Sequence, residues 1–314
     1  MIGYVVNLMA VPLLALAGRW ELAATLLIVE RVGKAIRNPP RDAMLSHATV
    51  RLGPGWAFGL HEALDQVGAV AGPLIVAAVL QARNSYREAF AILLIPALLA
   101  LAVLLIARVL YPRPQDLEPT APALESSGIS SADWIYLGAI GLVAAGYVDF
   151  PLIAYHFRRI DMVSQNWIPI FYAVAMGVDA VSALVFGYLY DRIGISVLVA
   201  VSLISSLFAP LVFLGGFRTA LLGMALWGTG MGAQESVMRA AVARLVPPDR
   251  RGSAYGFFNA GYGVAWFLGS ATLGALYDMS LTAVIAFSVV AQLASIPLFL
   301  LAKKRLKEEH NAPA

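Results

Sequence analysis

A stripe of charged residues interrupts one of the apolar segments of this chain. Residues 30–45 read ERVGKAIRNPPRDAML and follow directly on the apolar ELAATLLIV. At 100° per residue on an α-helix, four of the charged side chains fall within about 60° of one another: Glu30, Lys34, Arg37 and Arg41. In a membrane, each central charge costs about 2.5–3.5 kcal/mol unless it faces protein, water or an opposite charge. The stripe therefore indicates a polar pathway through the protein, or ion pairs between helices.

The charged residues of this stripe are predicted to have two different roles. Glu30, Arg31 and Lys34 are predicted to lie deeper in the bilayer, where they would line a pathway for a solute or for protons. Nearer one surface, we expect ion pairs that hold helices together at a gate, and these would be formed by Arg37, Arg41, Asp42, Glu235 and Arg239. Pro39 and Pro40 remove two backbone donors, so we expect them to kink or end the helix.

Two carboxylates in other apolar segments could exchange protons or contact a substrate. Asp65 shares a helical face with His61, and an ion pair with the neighbouring basic helix is its alternative role. Asp149 lies in the middle of an apolar segment, with Tyr147 close by in the sequence. A third acid, Asp179, is predicted to make a polar contact between helices rather than to bind substrate.

The segment around Asp65 carries further signals. Gly68 and Gly72 are spaced for close helix approach, and Pro73 is predicted to bend the helix.

HEALD at residues 61–65 differs from the HExxH zinc motif because Asp65 stands where the second histidine belongs, so no metal site is predicted. The sequence contains no cysteine, nucleotide-binding loop or serine-nucleophile motif. We therefore expect neither an enzyme nor a bound cofactor.

The composition explains why charged residues are so informative here. Of the 314 residues, 60% are hydrophobic and 13% are charged, and the formal net charge is only +3. Soluble domains are usually about 45–50% apolar and about 25% charged. Repeated apolar segments of about 20 residues predict an all-α polytopic membrane protein. The basic residues lie mainly at segment ends, which argues against a nucleic-acid partner.

Ten transmembrane helices are predicted, at 3–18, 22–47, 56–81, 87–110, 133–157, 164–190, 195–215, 218–245, 252–278 and 281–302. Pro and Ser are concentrated in a predicted linker at 112–132. The chain then divides into an N-terminal half (1–111), this linker, a six-helix C-terminal repeat (133–302) and a polar tail (303–314). Eleven Lys and Arg residues lie on the side of the tail against six on the other. The positive-inside rule therefore makes linker and tail cytoplasmic.

The two halves resemble each other at a constant offset over about 45 positions. GWAFGLHEALDQVGAVAG at 55–72 matches GSAYGFFNAGYGVAWFLG at 252–269, without gaps. The second half has two helices, at 133–157 and 164–190, before the one that matches 3–18. Their counterparts would precede Met1, so we expect this chain to be the last ten helices of a twelve-helix architecture.

Three motifs carry a resemblance to a known family. GYLYDRIG at 187–194 resembles the GxLaDRxGRR loop of the major facilitator superfamily, with Asp191 and Arg192 in place. GAVAGP at 68–73 resembles the core of that family's helix-five antiporter motif, and PPDRRGSAYG at 247–256 resembles its loop between helices ten and eleven. The resemblance implies a two-repeat helical bundle with a central cavity. It also implies that Asp191 and Arg192 belong to a gate.

The resemblance implies a secondary transporter that moves a small solute by alternating access. We expect coupling to protons, with export favoured by GAVAGP, in a monomer in the plasma membrane of a prokaryote. A non-transporting scaffold or sensor on the same fold is the alternative. It would be the better interpretation if a ten-helix chain is the natural product, since helix one forms a wall of the family's cavity.

Overall fold

The computed structural model describes residues 2–48, 52–110, 131–163, 167–246 and 250–311. Helices are the regular elements throughout these ranges, as the apolar segments predict. Of the predicted linker, residues 112–130 lie outside the described part of the chain.

The helices, in chain order, are α1 (Ile2–Leu13), a 3₁₀ turn (Leu14–Leu16), α2 (Trp20–Ala48), α3 (Pro54–Arg83), α4 (Tyr86–Ile92), α5 (Leu94–Leu110), α6 (Ser131–Gly146), α7 (Phe150–Arg159), α8 (Ile168–Ile193), α9 (Ser196–Ser205), α10 (Phe208–Leu214), α11 (Phe217–Leu245), α12 (Arg251–Met279) and α13 (Leu281–Asn311). The predicted spans 87–110, 133–157 and 195–215 are each divided into two helices. The C-terminal helix continues beyond the predicted end at residue 302.

Six helical segments within the described ranges are long and apolar enough to cross a membrane. They are 19 to 30 residues long and comprise Pro54–Arg83, Tyr86–Leu110, Ser131–Arg159, Ile168–Ile193, Ser196–Leu214 and Leu281–Glu308. A bilayer core of about 30 Å requires about 20 predominantly apolar residues in a helix. The number of ten spans stays a prediction.

The helix boundaries repeat at the offset found in the sequence, which places residue 55 over residue 252. Helix α2 begins at Trp20 and ends at Ala48, whereas α11 begins at Phe217 and ends at Leu245, so both ends are displaced by that same offset. The starts of α3 at Pro54 and of α12 at Arg251 are separated by it as well. The similarity of 55–72 to 252–269 therefore coincides with a repeat of secondary structure.

The prolines in α2 do not end the helix. Pro39 and Pro40 both lie inside α2, which continues to Ala48. A helix end at these residues was one of the two predicted outcomes, and it is wrong. Each proline removes one backbone donor, a local loss that a membrane helix can tolerate where neighbouring groups take up the freed carbonyls.

The chain forms two compact units. The first comprises Met1–Val50 and Val67–Ala121, and the second comprises Arg51–Gln66 and Pro122–Ala314. In the first unit α1 packs against α2, where Gly33 lies against the backbone of Asn7. The second unit contains α6 to α13 together with the first part of α3.

Glycines permit the close packing of α8 and α11 in the second unit. A side chain at Gly228 would collide with the backbone of Ala175, and one at Gly232 with the backbone of Asp179. Small residues at such crossings bring helix backbones close enough for van der Waals packing in a membrane protein. The crossing places the polar residues of α11 directly beside Asp179.

We predict that Gly228→Ala destabilises the protein by about 1–3 kcal/mol, as overpacking of a close-packed core does. Gly261→Ala is the matched control, because a Cβ there would meet no described atom within 4 Å. Thermal unfolding in detergent would compare the two variants. Equal unfolding temperatures for both variants would contradict the close packing of α8 and α11.

Candidate functional site

In the first unit, Glu30 is held by a neighbouring helix. Asn7 Nδ2 donates to Glu30 Oε1 over 2.7 Å and to the Glu30 backbone oxygen over 3.2 Å. Arg31 Nε lies 3.3 Å from Glu30 Oε2, while the rest of its side chain is exposed. Lys34 is exposed as well. These three pathway candidates lie together, and Glu30 alone among them is half-buried.

The predicted gate residues of α2 are buried or half-buried. Arg41 Nη2 lies 2.8 Å from Oδ1 of the adjacent Asp42, and both residues are buried. The Arg37 guanidinium lies over the ring of Tyr4, 5.1 Å from its centroid. The structure therefore places Arg41 and Asp42 as a compensated pair and Arg37 in a cation–π contact.

The Asp191 side chain caps the N-terminus of α3. Its Oδ1 accepts a hydrogen bond from Gly55 N (2.9 Å), and its Oδ2 accepts one from Trp56 N (2.8 Å). The first amides of a helix have no partner inside the helix, and a carboxylate there also interacts favourably with the helix dipole. Arg244 Nη2 lies 3.0 Å from the same carboxylate. Asp191 thus joins α8, α11 and α3 at one point.

Arg192, the neighbour of Asp191, does not take part in this junction through the contacts described. Its guanidinium lies over the ring of Tyr188, 4.3 Å from the centroid, and the residue is exposed. The two predicted gate residues of GYLYDRIG therefore make different contacts.

A second junction between the same helices is formed by three carboxylates, two of which are buried. Arg239 Nη1 lies 3.2 Å from Glu62 Oε2, and Arg239 Nη2 lies 3.6 Å from Glu235 Oε2. Gln66 Nε2 donates to Glu62 Oε1 over 2.7 Å and to Asp179 Oδ2 over 3.3 Å. Glu62 is 1% exposed and Asp179 is 0% exposed. We call Glu62, Gln66, Asp179, Glu235 and Arg239 the carboxylate cluster.

The carboxylate cluster was only partly predicted. The sequence predicts Glu235 and Arg239 at a gate and Asp179 in a contact between helices, whereas Glu62 lies in HEALD without a predicted role. The i,i+4 spacing of Glu62 and Gln66 was visible in the sequence, and it places both side chains on one face of α3. Asp179 and Arg239, their partners on α8 and α11, are far away in the sequence, and apolar periodicity carries no information about such pairings.

Asp149 lies at a break between two helices. Helix α6 ends at Gly146, α7 begins at Phe150, and Asp149 is in an extended conformation between them. Its two carboxylate oxygens accept hydrogen bonds from Trp266 Nε1 and Ser270 Oγ of α12. The continuous helix predicted over 133–157 is therefore wrong at this point.

Side chains satisfy the carbonyl groups that the break exposes. Trp227 Nε1 donates to the Val148 oxygen over 2.8 Å, and Ser288 Oγ donates to the Gly146 oxygen over 2.7 Å. Tyr147 donates its hydroxyl to the Trp227 oxygen. Discontinuous helices with satisfied backbone are typical of substrate sites in membrane transporters. The break thus brings Asp149 to a polar position among aromatic rings.

Asp65 lies close to Glu62 of the carboxylate cluster. It is exposed, and its Oδ2 lies 3.8 Å from His61 Nδ1 one turn earlier. His61, Glu62 and Asp65 form a group whose ligand atoms all lie within 4.8 Å of one another. Glu62 already accepts from Arg239 and Gln66, so a metal ion there would compete with those contacts.

The close helix approach predicted at Gly68 and Gly72 of GAVAGP stays a prediction. A Cβ built at Gly68 or Gly72 would meet no heavy atom within 4 Å in the described structure, whereas one at Gly55 or Gly59 would collide with the backbone of α8. Close packing of α3 therefore occurs earlier in the helix, beside Asp191. The side chain of Pro73 lies outside the described part.

Comparison with known proteins identifies the family. The chain matches the Major Facilitator Superfamily over residues 1–269 and 133–314. It is 38% identical over 303 residues to uncharacterized proteins of Mycobacterium bovis and Mycobacterium tuberculosis, covering 94% of this chain and 74% of theirs. It is 28% identical over 290 residues to an uncharacterized MFS-type transporter of Methanocaldococcus jannaschii, covering 89% of this chain and 71% of that one.

Solved structures share the fold. A bacterial homologue of the iron transporter ferroportin, in an outward-facing state, superimposes with a TM-score of 0.66 at 15% identity, over 96% of this chain and 82% of that one. The Escherichia coli fucose:proton symporter superimposes with a TM-score of 0.62 at 14% identity, over 96% of this chain and 81% of the symporter. The human organic anion transporter MFSD10 superimposes with a TM-score of 0.64 at 15% identity, over 95% of this chain and 75% of that transporter. The chain therefore belongs to the major facilitator superfamily and is a multi-pass membrane protein of a transporter family.

Proposed function

We propose that this protein is a secondary active transporter that moves a small solute by alternating access and uses protons as its energy source. The observation that carries the proposal is the carboxylate cluster, in which Glu62 and Asp179 are buried while Glu235 and Arg239 are half-buried. Charges are costly in a membrane and are retained where they serve transport or pair with one another. The family membership supplies the transporter class.

The contacts of α3 support an alternating mechanism. Helix α3 belongs to the first repeat, whereas its partners α8 and α11 belong to the second. Two polar junctions, at Asp191 and at Glu62, hold the first part of α3 to those helices. Because both junctions are polar and local, a change of charge or of bound solute can release them without loss of the apolar core.

The remaining features of the proposal rest on sequence patterns. Ten membrane spans, a cytoplasmic C-terminus and a plasma-membrane location follow from apolar segments and the positive-inside rule. Export follows from GAVAGP, and a monomer is the simplest unit with one central pathway. Substrate contact is assigned to Asp149, whose carboxylate lies at a helix break beside Trp266.

Transport can be measured with the full chain reconstituted in liposomes that contain a pH-sensitive dye. A panel of monosaccharides, amino acids, and organic anions and cations would be added outside in turn. We predict that at least one compound changes the luminal pH, and that Asp149→Asn abolishes this response. No pH response to any compound of the panel would contradict proton-coupled transport and favour the scaffold or sensor alternative.

The junction at Asp191 can be tested separately, because the sequence contains no cysteine. Spin labels at Leu60→Cys on α3 and Val185→Cys on α8, both exposed positions, would report the distance between these helices. We predict that Asp191→Ala shifts the distribution to longer distances, since replacing a helix-capping side chain by alanine costs about 0.5–2 kcal/mol.

Arg192→Gln is the matched control for this experiment, because Arg192 lies beside Asp191 but contacts Tyr188 instead. Its distance distribution should equal that of the parent. A parent-like distribution in Asp191→Ala would show that the Asp191 side chain does not hold α3 to α8.

A further inference from the structure

Asp149 forms no ion pair with a Lys, Arg or His within the described part of the chain. Its two carboxylate oxygens accept hydrogen bonds from Trp266 and Ser270, which are both neutral donors. A carboxylate inside a membrane protein needs an opposite charge or water to offset the loss of its hydration. Asp149 therefore favours a ligand that brings a positive charge.

Arg239 is a basic residue in the vicinity, but its charge is compensated elsewhere. It interacts electrostatically with Tyr262, as Asp149 does. Its Nη1 lies 3.2 Å from Glu62 Oε2, and its Nη2 lies 3.6 Å from Glu235 Oε2. Because these two contacts bind Arg239 within the carboxylate cluster, the charge of Asp149 is left for a ligand to compensate.

Aromatic rings lie beside this carboxylate. The centroid of Trp266, whose Nε1 donates to Asp149, lies 5.5 Å from that of Tyr262 and 6.2 Å from that of Tyr147. Asp149, Tyr262 and Trp266 are each half-buried, so a ligand can reach them without displacing the core. The faces of tyrosine and tryptophan rings attract cations, and proteins use such rings to recognise organic ammonium ions.

These groups favour an organic ammonium ion over other solutes. A carboxylate offers about four acceptor positions, and the two hydrogen bonds to Asp149 leave the others for the N–H groups of an ammonium ion. A hard metal ion takes about six or more oxygen ligands, whereas the described contacts bring together one carboxylate and the Ser270 hydroxyl. The carboxylate would repel an anion, and a neutral solute would leave its charge uncompensated.

We propose that the substrates of this transporter are small organic cations with a primary or secondary ammonium group, bound by Asp149 and by the rings of Tyr262 and Trp266. The inference rests on the proposed transport function and names the substrate class of the site at Asp149. The ammonium group donates hydrogen bonds to the carboxylate, and the carbon body of the substrate lies against the rings.

Calorimetric titration of the full chain in detergent tests the substrate class without transport. Two sets of probes share a carbon body and differ in charge: phenethylamine, phenethyl alcohol and phenylacetate, and butylamine, butanol and butyrate. The amines are cations at neutral pH. We expect at least one amine to bind about tenfold or more tightly than its alcohol and carboxylate counterparts. If no amine binds, or if the uncharged or anionic counterparts bind as tightly, the substrate class is wrong.

Variants locate the binding site of the amine. Asp149→Asn should weaken amine binding about tenfold or more, whereas Asp278→Asn, which removes an exposed carboxylate from the same helix as Trp266, should bind like the parent. Trp266→Phe and Trp266→Leu both lose the donor to Asp149, so their difference reports the ring, and the leucine variant should bind about twofold to fivefold more weakly. Parent-like binding in Asp149→Asn, or equal affinities of the two Trp266 variants, would overturn the site.

The liposome assay separates failure of the substrate class from failure of the proposed function. Protein-free liposomes supply the baseline, because amines also cross a bilayer passively. If monosaccharides or organic anions change the luminal pH above this baseline and amines do not, transport stands and the substrate class is wrong. If amines bind in detergent and no compound changes the luminal pH above the baseline, the substrate class stands and proton-coupled transport fails.

Discussion

Compensation of buried charge is the constraint on which this structure depends. The protein has few charged residues for its size, and the buried and half-buried acids described above are paired or hydrogen-bonded, most of them across helix boundaries. Glu30 is held by Asn7, Asp149 by Trp266 and Ser270, and Glu62 by Arg239 and Gln66. Removing one partner of a buried pair leaves an uncompensated charge, which costs about 3–5 kcal/mol. Polar contacts therefore decide which helices stay together.

Glycine makes this compensation possible. The Glu62, Asp179 and Arg239 side chains come from three helices, and they can meet only because the helix backbones approach closely. Gly232 on α11 lies against the backbone of Asp179, and Gly59 on α3 lies against that of Ala183. The glycines and the buried charges therefore occur at the same helix contacts. The glycines bring the helices together, and the charges make the contact depend on ionisation.

The sequence predicts the helices better than it predicts their contacts. Apolar segments of about 20 residues predict helices, although three of the predicted spans are each divided into two. The constant offset of the internal repeat matches the boundaries of α2 and α11. The break at Asp149 could not be seen, because its exposed carbonyl groups are satisfied by Trp227 and Ser288, which lie on helices distant in the chain. The contact of Glu62 cannot be predicted for a similar reason, because its partner Arg239 is remote in the sequence.

The central claim is that the Glu62–Arg239 pair is a buried interaction whose strength depends on charge. A double-mutant cycle with Glu62→Gln, Arg239→Gln and the double variant, measured by unfolding in detergent at neutral and acidic pH, tests it most directly. We expect a coupling free energy of about 0.5–3 kcal/mol at neutral pH, which disappears on acidification. Additive effects at neutral pH, or a coupling that acidification leaves unchanged, would contradict it.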